Sequence, residues 1–166
     1  MPEPIDRPEY WRQRLELARA GHLHHAIFKT PLANWQAIEA KHRTILARTI
    51  QPMDSVLDAG CGWGRLLTLM PETWKGRYLG VDLSPDFIKL ARQAHFHRSF
   101  VVGDLRSLNF IPDGEVYDFA ILISIRPMVR RNMGDDAWQQ MEAELRRVAK
   151  KLLFLEYDSA DDGEIA

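Results

Sequence analysis

The sequence predicts an α/β protein, a three-layer αβα sandwich around a mostly parallel sheet. Three observations lead there. From residue 55 onward short apolar segments alternate with amphipathic helical ones, and parallel strands require such crossovers. The segment Tyr117 to Ile123 is apolar except for Asp118, as expected of a strand covered on both faces. Three of the strand segments run into a turn that carries an acidic residue, at the strand ends where open α/β sheets bind ligands.

The totals agree with one structural domain. A length of 166 residues suffices for a sizeable core, and 46% hydrophobic with 27% charged residues is ordinary for a globular chain. The longest apolar run, Phe119 to Ile123, falls far short of a bilayer span. The opening MPEPIDRPEYW lacks the apolar stretch of a signal peptide. A single cysteine, Cys61, excludes an intramolecular disulfide and a multi-cysteine metal site, so no metal and a cytoplasmic location are expected. The formal net charge of −1 supplies no global field for nucleic acid.

Pro2, Pro4 and Pro8 keep the first residues extended. From Glu9 to Gly21 the residues Trp11, Leu15 and Ala18 recur near a helical period, and His22 to Pro31 reads as a connector. A second helix runs from Asn34, a candidate cap, to Ile50, with Trp35, Ile38, His42, Ile45, Leu46 and Thr49 on one face until Gln51-Pro52 stops it. Residues 1–52 are therefore read as a helical extension or lid packed on a ligand-binding core of residues 53–166. In that core, strands are expected at Ser55–Ala59, Tyr78–Asp82, Phe100–Val102, Tyr117–Ile123 and Leu152–Tyr157. Helices are expected at Leu66–Met70, after a Ser84 cap with Pro85 at the first helical position, and from Asp135 or Asp136 to Val148.

The strand ends carry the chemistry. In VLDAGCGWGR, Gly60, Gly62 and Gly64 let the backbone turn sharply and approach a ligand, while the helix start beyond offers N–H groups to an anion. Asp58 could pair with an ammonium group; the plainer reading is an ordinary strand-to-helix turn. Asp82 ends the second strand about twenty residues on, where a carboxylate accepts hydrogen bonds from a ribose diol. Alone, it would be a turn or cap residue. Asp104, after the third strand, could accept from an adenine amine, or could be a loop aspartate. Together the three acids describe a site for an adenosine with an amino-acid tail.

VLDAGCGWGR, YLGVDLSPDFIKLAR and FVVGDLRSL resemble motifs one to three of class I S-adenosylmethionine-dependent methyltransferases, of the small-molecule type, and YDFAILISI resembles the fourth. The resemblance spans residues 54–157 and implies a Rossmann-like sheet of order 3-2-1-4-5, truncated at the carboxyl end. It implies that Asp58, Gly60 and Gly62, with Cys61 between them, hold the methionine end. Asp82 would hold the ribose, Leu83 would stack on adenine with Ser84 beside it, and Asp104 and Leu105 would meet its edge. Ser124 and Ile125 would lie near the sulfonium and the acceptor. S-adenosylmethionine is thus the expected cofactor, and in-line methyl transfer to a small molecule the expected reaction.

Two departures from the family pattern matter. The family core continues through two further strands, so here the fifth strand is expected to be an open edge through which a homodimer could form. Ser124-Ile125-Arg126-Pro127 is not the Asn/Asp-Pro-Pro-aromatic signature of amino-methylating members, and Cys61 is not placed as a cytosine-methylating nucleophile. Arg126, Arg130 and Arg131 suggest an anionic acceptor group or else a solvated basic loop. Tyr10, Trp11 and His25 are further substrate-side candidates; neither His24, His25 nor Asp118 makes a convincing base. The alternative reading is a cofactor-binding subunit that lacks chemistry or needs a partner. A nicotinamide enzyme would show G-x-G-x-x-G instead.

Overall fold

A computed structural model of the chain describes residues 8–20, 32–157 and 163–166. Contacts divide the chain into two units, Met1–Lys41 and His42–Ala166. The first contains α1 (Pro8–Arg19) and the opening turns of α2 (Leu32–Thr49). Proline at the start of α1 suits a position whose N–H has no helical partner.

The second unit contains the end of α2, then β1 (Val56–Ala59), α3 (Arg65–Leu69), β2 (Tyr78–Asp82), α4 (Pro85–Ala94) and β3 (Ser99–Val102). It continues through β4 (Tyr117–Ile123), α5 (Ile125–Met133), α6 (Asp135–Val148) and β5 (Ala149–Leu155). The five strands are parallel in the order β3-β2-β1-β4-β5, as the family resemblance implies. β1 is central, with Asp58 opposite Gly80 of β2 and Ile121 of β4. The chain leaves β1 toward β2 and later returns to its other side at β4. That reversal opens a crevice at the carboxyl ends of the two strands.

Side-chain alternation distributes the core over both faces. Leu57, Ala120 and Leu122 meet Val129, Trp138, Met141 and Leu145 of α5 and α6 on one face. Val56, Phe119 and Ile121 meet Leu46, Leu66, Leu69 and Ile88 of α2, α3 and α4 on the other. Ile121 and Leu122, consecutive and both fully buried, show why β4 reads as a continuous apolar run. Among the described residues no helix is long and apolar enough to cross a membrane.

Two features depart from expectation, the segment after β4 and the outer edge of β5. The basic stretch after β4 is a helix, α5, rather than a loop. Pro127 falls in its first turn, where its missing N–H costs no helical bond, and Gly134 at φ +88° ends it. No helix joins β3 to β4; the connection is fastened to α6, where Arg147 donates to the Leu108 carbonyl (3.0 Å) and Glu144 accepts the Leu108 N–H (2.8 Å). Most consequentially, the outer edge of β5 is not open along its middle. Residues 163–166 run antiparallel to it, exchanging N–H···O bonds between Leu152 and Ala166 (2.6 and 2.9 Å) and between Phe154 and residues 163–164 (2.7 and 3.0 Å). Those bonds occupy backbone groups along an edge that the sequence reading left open.

Candidate functional site

Asp58 and Asp82 lie near each other at the ends of β1 and β2, while Asp104 follows β3 and is bound to Arg106. The turn after β1 holds Gly60 at φ +78°, Gly62 at φ +52° and Gly64 at φ +85°, all left-handed and strained for other residues. Their surroundings differ. A Cβ on Gly60 would fall 2.8 Å from Ile125 Cγ1, and one on Gly64 would fall 2.7 Å from the His95 ring. One on Gly62 would meet nothing within 4 Å. The turn is thus packed from behind and has open room at its middle glycine. Cys61 is buried, its Sγ 3.6 Å from the Gly62 carbonyl, and burial pushes its thiol well above the usual range.

Asp82 ties the first turn to the second. Its Oδ2 accepts the Gly62 N–H (2.8 Å) and its Oδ1 the Ser84 N–H (2.9 Å). Burial raises its pKa, while these two N–H groups pull it down. An ionised carboxylate has about four acceptor positions, so two bonds leave room for a diol. Ser84 caps α4 by accepting the Phe87 N–H (3.3 Å). Leu83 projects 69% exposed, an apolar side chain presented at the lip of the crevice.

Asp58 is turned inward. It is 2% exposed, and its Oδ2 accepts the Tyr78 hydroxyl at 2.7 Å. Burial, against that hydrogen bond and with Asp82 nearby, pushes its pKa up to about 7. Asp104 is engaged by its neighbour: Arg106 donates to both carboxylate oxygens (2.6 to 3.1 Å) and holds the pKa below the usual carboxylate range. Leu105 is buried in the core.

Beyond β4, Ser124 takes a left-handed conformation (φ 54°), the one such non-glycine among the described residues. It turns the chain into α5 so that Ile125 packs on the glycine turn. The arginines that follow do not converge. Arg126 stacks over the Phe154 ring (4.0 Å), with Glu164 at 2.9 Å and Glu156 at 3.8 Å. Arg130 pairs with Asp135 at 2.6 Å on the surface, and Arg131 is exposed. Tyr10 and Trp11 lie on the backbone of α1, but their side chains, and all of His24 and His25, fall outside the described residues. Asp118 lies at the amino end of β4, bonded to Ser55 and Lys150, away from the crevice.

The structure adds residues to which the sequence reading gave no role. Arg65, 2% exposed, donates from Nη1 to the Tyr157 hydroxyl oxygen (2.7 Å). Fully buried His42 donates from Nε2 to the Glu156 carbonyl (3.2 Å), and the Glu156 side chain is itself buried. The local signal was available: a charged or imidazole group on an otherwise apolar helix face, as at His42, asks for a buried partner. Surface hollows of about 260 and 350 Å³ open at the amino ends of the strands and contain none of the strand-end acids.

For an adenosyl ligand the fit is favourable on the structure's own terms. The open space is at Gly62, the acceptor capacity at Asp82 and the exposed apolar platform at Leu83, on consecutive turns. The family described as "Methyltransferase domain" matches residues 56–151, more than half of the chain. A ribosomal protein L11 methyltransferase of Burkholderia mallei is 43% identical over 47 residues, covering 28% of this chain and 16% of that protein. A trans-aconitate 2-methyltransferase of Azoarcus sp. is 39% identical over 69 residues, covering 39% and 26%. The matches thus span only about a sixth to a quarter of those curated relatives. Magnesium protoporphyrin IX methyltransferase from Synechocystis, solved with bound SAM, superposes with a TM-score of 0.55 at 23% identity over 72% of this chain and 56% of its own.

Proposed function

The chain belongs to the methyltransferase-domain family, and from that membership we propose that it transfers the methyl group of S-adenosylmethionine to a small-molecule acceptor. The observation that carries this reading is the link from Asp82 to Gly62, which makes one crevice of two turns and leaves space at the glycine.

Gly60, Cys61 and Gly62 would hold the methionine end through their backbone, with Asp58 supplying negative charge from beneath. Asp82, Leu83 and Ser84 would take the ribose and one face of adenine, and Asp104 and Leu105 its edge. Ser124 and Ile125 would border the methyl group. When bound, the cofactor supplies a methyl carbon on a sulfonium, whose bonding pair departs with sulfur. The residues around it orient the acceptor and exclude water, and effective molarities near 10⁵ M or above show roughly what alignment alone can contribute. The trans-aconitate enzyme among the relatives acts on a small carboxylate-bearing molecule, in keeping with a small acceptor here.

Calorimetry with S-adenosylmethionine, S-adenosylhomocysteine and NAD, followed by methyl-label transfer to a metabolite extract, tests the proposal. Adenosyl binding with transfer of label to low-mass products is expected. Binding without transfer under any condition would leave a cofactor-binding subunit, and NAD binding alone would end the methyltransferase reading.

A further inference from the structure

The strand-end acids are not equally ready for a ligand. Asp82 accepts two backbone N–H groups and keeps roughly half of its acceptor positions. Asp104 has none to spare. Its Oδ1 accepts the Arg106 backbone N–H (2.9 Å) and Nε–H (3.0 Å), and its Oδ2 accepts Arg106 Nε–H (3.1 Å) and Nη2–H (2.6 Å). All but the first of these contacts come from one guanidinium. The pair is partly open to solvent, with the Arg106 side chain 37% and the Asp104 side chain 35% exposed.

The backbone beneath the pair is anchored on both sides. The Gly103 N–H donates to the Asp82 carbonyl (3.0 Å), which keeps the ends of β2 and β3 side by side just before Asp104. The Ser107 N–H closes a turn on the Asp104 carbonyl (2.9 Å), and Leu105 is buried in the core. From α6, Gln140 donates to the Arg106 carbonyl (3.4 Å) and Glu144 accepts the Leu108 N–H (2.8 Å). Only the guanidinium is free to swing away without disturbing the turn. An exposed ion pair opens at small cost, because water takes up both partners. The plainer reading, that Arg106 merely neutralises a loop aspartate, predicts no effect on ligand binding.

We propose that Arg106 gates the adenine edge of the cofactor site: it occupies the Asp104 carboxylate in the empty protein and yields it when the exocyclic amine of adenine arrives. This rests on the adenosyl reading above, in which Asp104 meets that amine. Two donors cannot use the same lone pair, so the adenine N–H and the guanidinium compete for one carboxylate. The Arg106 backbone N–H stays on Oδ1 through the exchange, since the turn that supplies it is held by α6. No proton moves; Asp104 is ionised at neutral pH with either partner. Ligand binding must open the ion pair, and the observed affinity is reduced by that opening. Arg106 thus sets how tightly the nucleoside is held while standing outside the methyl-transfer step.

The test is a double-mutant cycle on the full chain, read by calorimetry with S-adenosylhomocysteine. Arg106→Ala is expected to tighten binding about threefold to fivefold, the usual worth of an exposed ion pair. Arg106→Met, uncharged and of similar length, should do the same. In an Asp104→Asn background, where no carboxylate waits to be released, Arg106→Ala is expected to change nothing. Salt gives a second readout: the gap between wild type and Arg106→Ala should close as ionic strength rises and screens the pair. Unchanged or weaker binding in both Arg106 variants overturns the gate and leaves the cofactor reading intact. Equal tightening in both backgrounds, or a gap that salt does not alter, overturns it likewise. Failure of S-adenosylhomocysteine to bind wild type and the Arg106 variants alike overturns both.

Discussion

The side chain of Ile125 occupies the place that a Cβ on Gly60 would take, so the chain after β4 seals the glycine turn after β1. The two open-sided and closed-sided glycines should therefore respond differently to the same substitution. Gly60→Ala adds a collision to a left-handed backbone and should destabilise the fold by roughly 2–4 kcal/mol. Gly62→Ala has room and should cost only about 1 kcal/mol in stability. Its methyl group enters the space read as the ligand's, and S-adenosylhomocysteine binding should be lost. Thermal melts with calorimetry on both variants decide this; a Gly62→Ala protein that binds normally removes the cradle.

Asp82 has a second task besides any ligand. Because it accepts the Gly62 and Ser84 N–H groups, Asp82→Ala should lower stability of the empty protein by roughly 1–3 kcal/mol as well as weaken cofactor binding. Denaturant titration of the unliganded variant measures the first effect. A variant as stable as wild type would mean that the turns are held together by other contacts.

Asp58 predicts a pH effect with a definite sign. Its folded pKa of about 7 lies above the ordinary 3.8, so the folded chain binds this proton more tightly than the unfolded chain does. Its contribution to stability is fully present below pH 3.8 and is lost as pH rises through 7. Ligand binding runs the other way. An ionised Asp58 favours the cationic sulfonium over the neutral thioether, so the preference for S-adenosylmethionine over S-adenosylhomocysteine should rise about threefold between pH 6 and 8. Asp58→Asn should flatten that profile. Calorimetry of both ligands across the range checks it.

Residues 163–166 should matter for solution behaviour. Removing them deletes four backbone hydrogen bonds to β5 together with the Glu164 partner of Arg126. The truncated protein should melt lower and self-associate with concentration in sedimentation velocity, because a bare strand edge is a template for pairing. A truncated protein that stays monomeric at high concentration would show that the edge is protected by other means.

Much of this was legible in the residues. Tyr117–Ile123 and Tyr78–Asp82 announce themselves as strands through local apolar runs, and Ser84-Pro85 announces a helix start through its capping chemistry. β5 begins at Ala149, because Lys150 and Lys151 at its exposed start break the apolar pattern without preventing backbone pairing. α5 carried its own signals, a proline in the first turn, arginines in the last and Gly134 beyond, which its charged composition obscured. The pairing of residues 163–166 with β5 had no pattern to reveal it, being four residues of mixed polarity. Arg65, His42, Glu156 and Tyr157 come from three distant stretches, and only the strand order brings them together. Periodicity reports on neighbours along the chain; it is silent about partners 92 or 114 residues away.

The reversal of strand order around β1 has an evolutionary implication. Groups read as gripping the adenosyl half hang from β2 and β3, whereas Arg65, Ser124 and Tyr157 gather over β4 and β5. The two proposed half-sites share the central strand and the loop after it. On the proposed roles, substitutions around Ser124 and Ile125 would retune which molecule is modified while the grip on the nucleoside stays intact, so acceptor scope would be the trait this scaffold most readily diversifies.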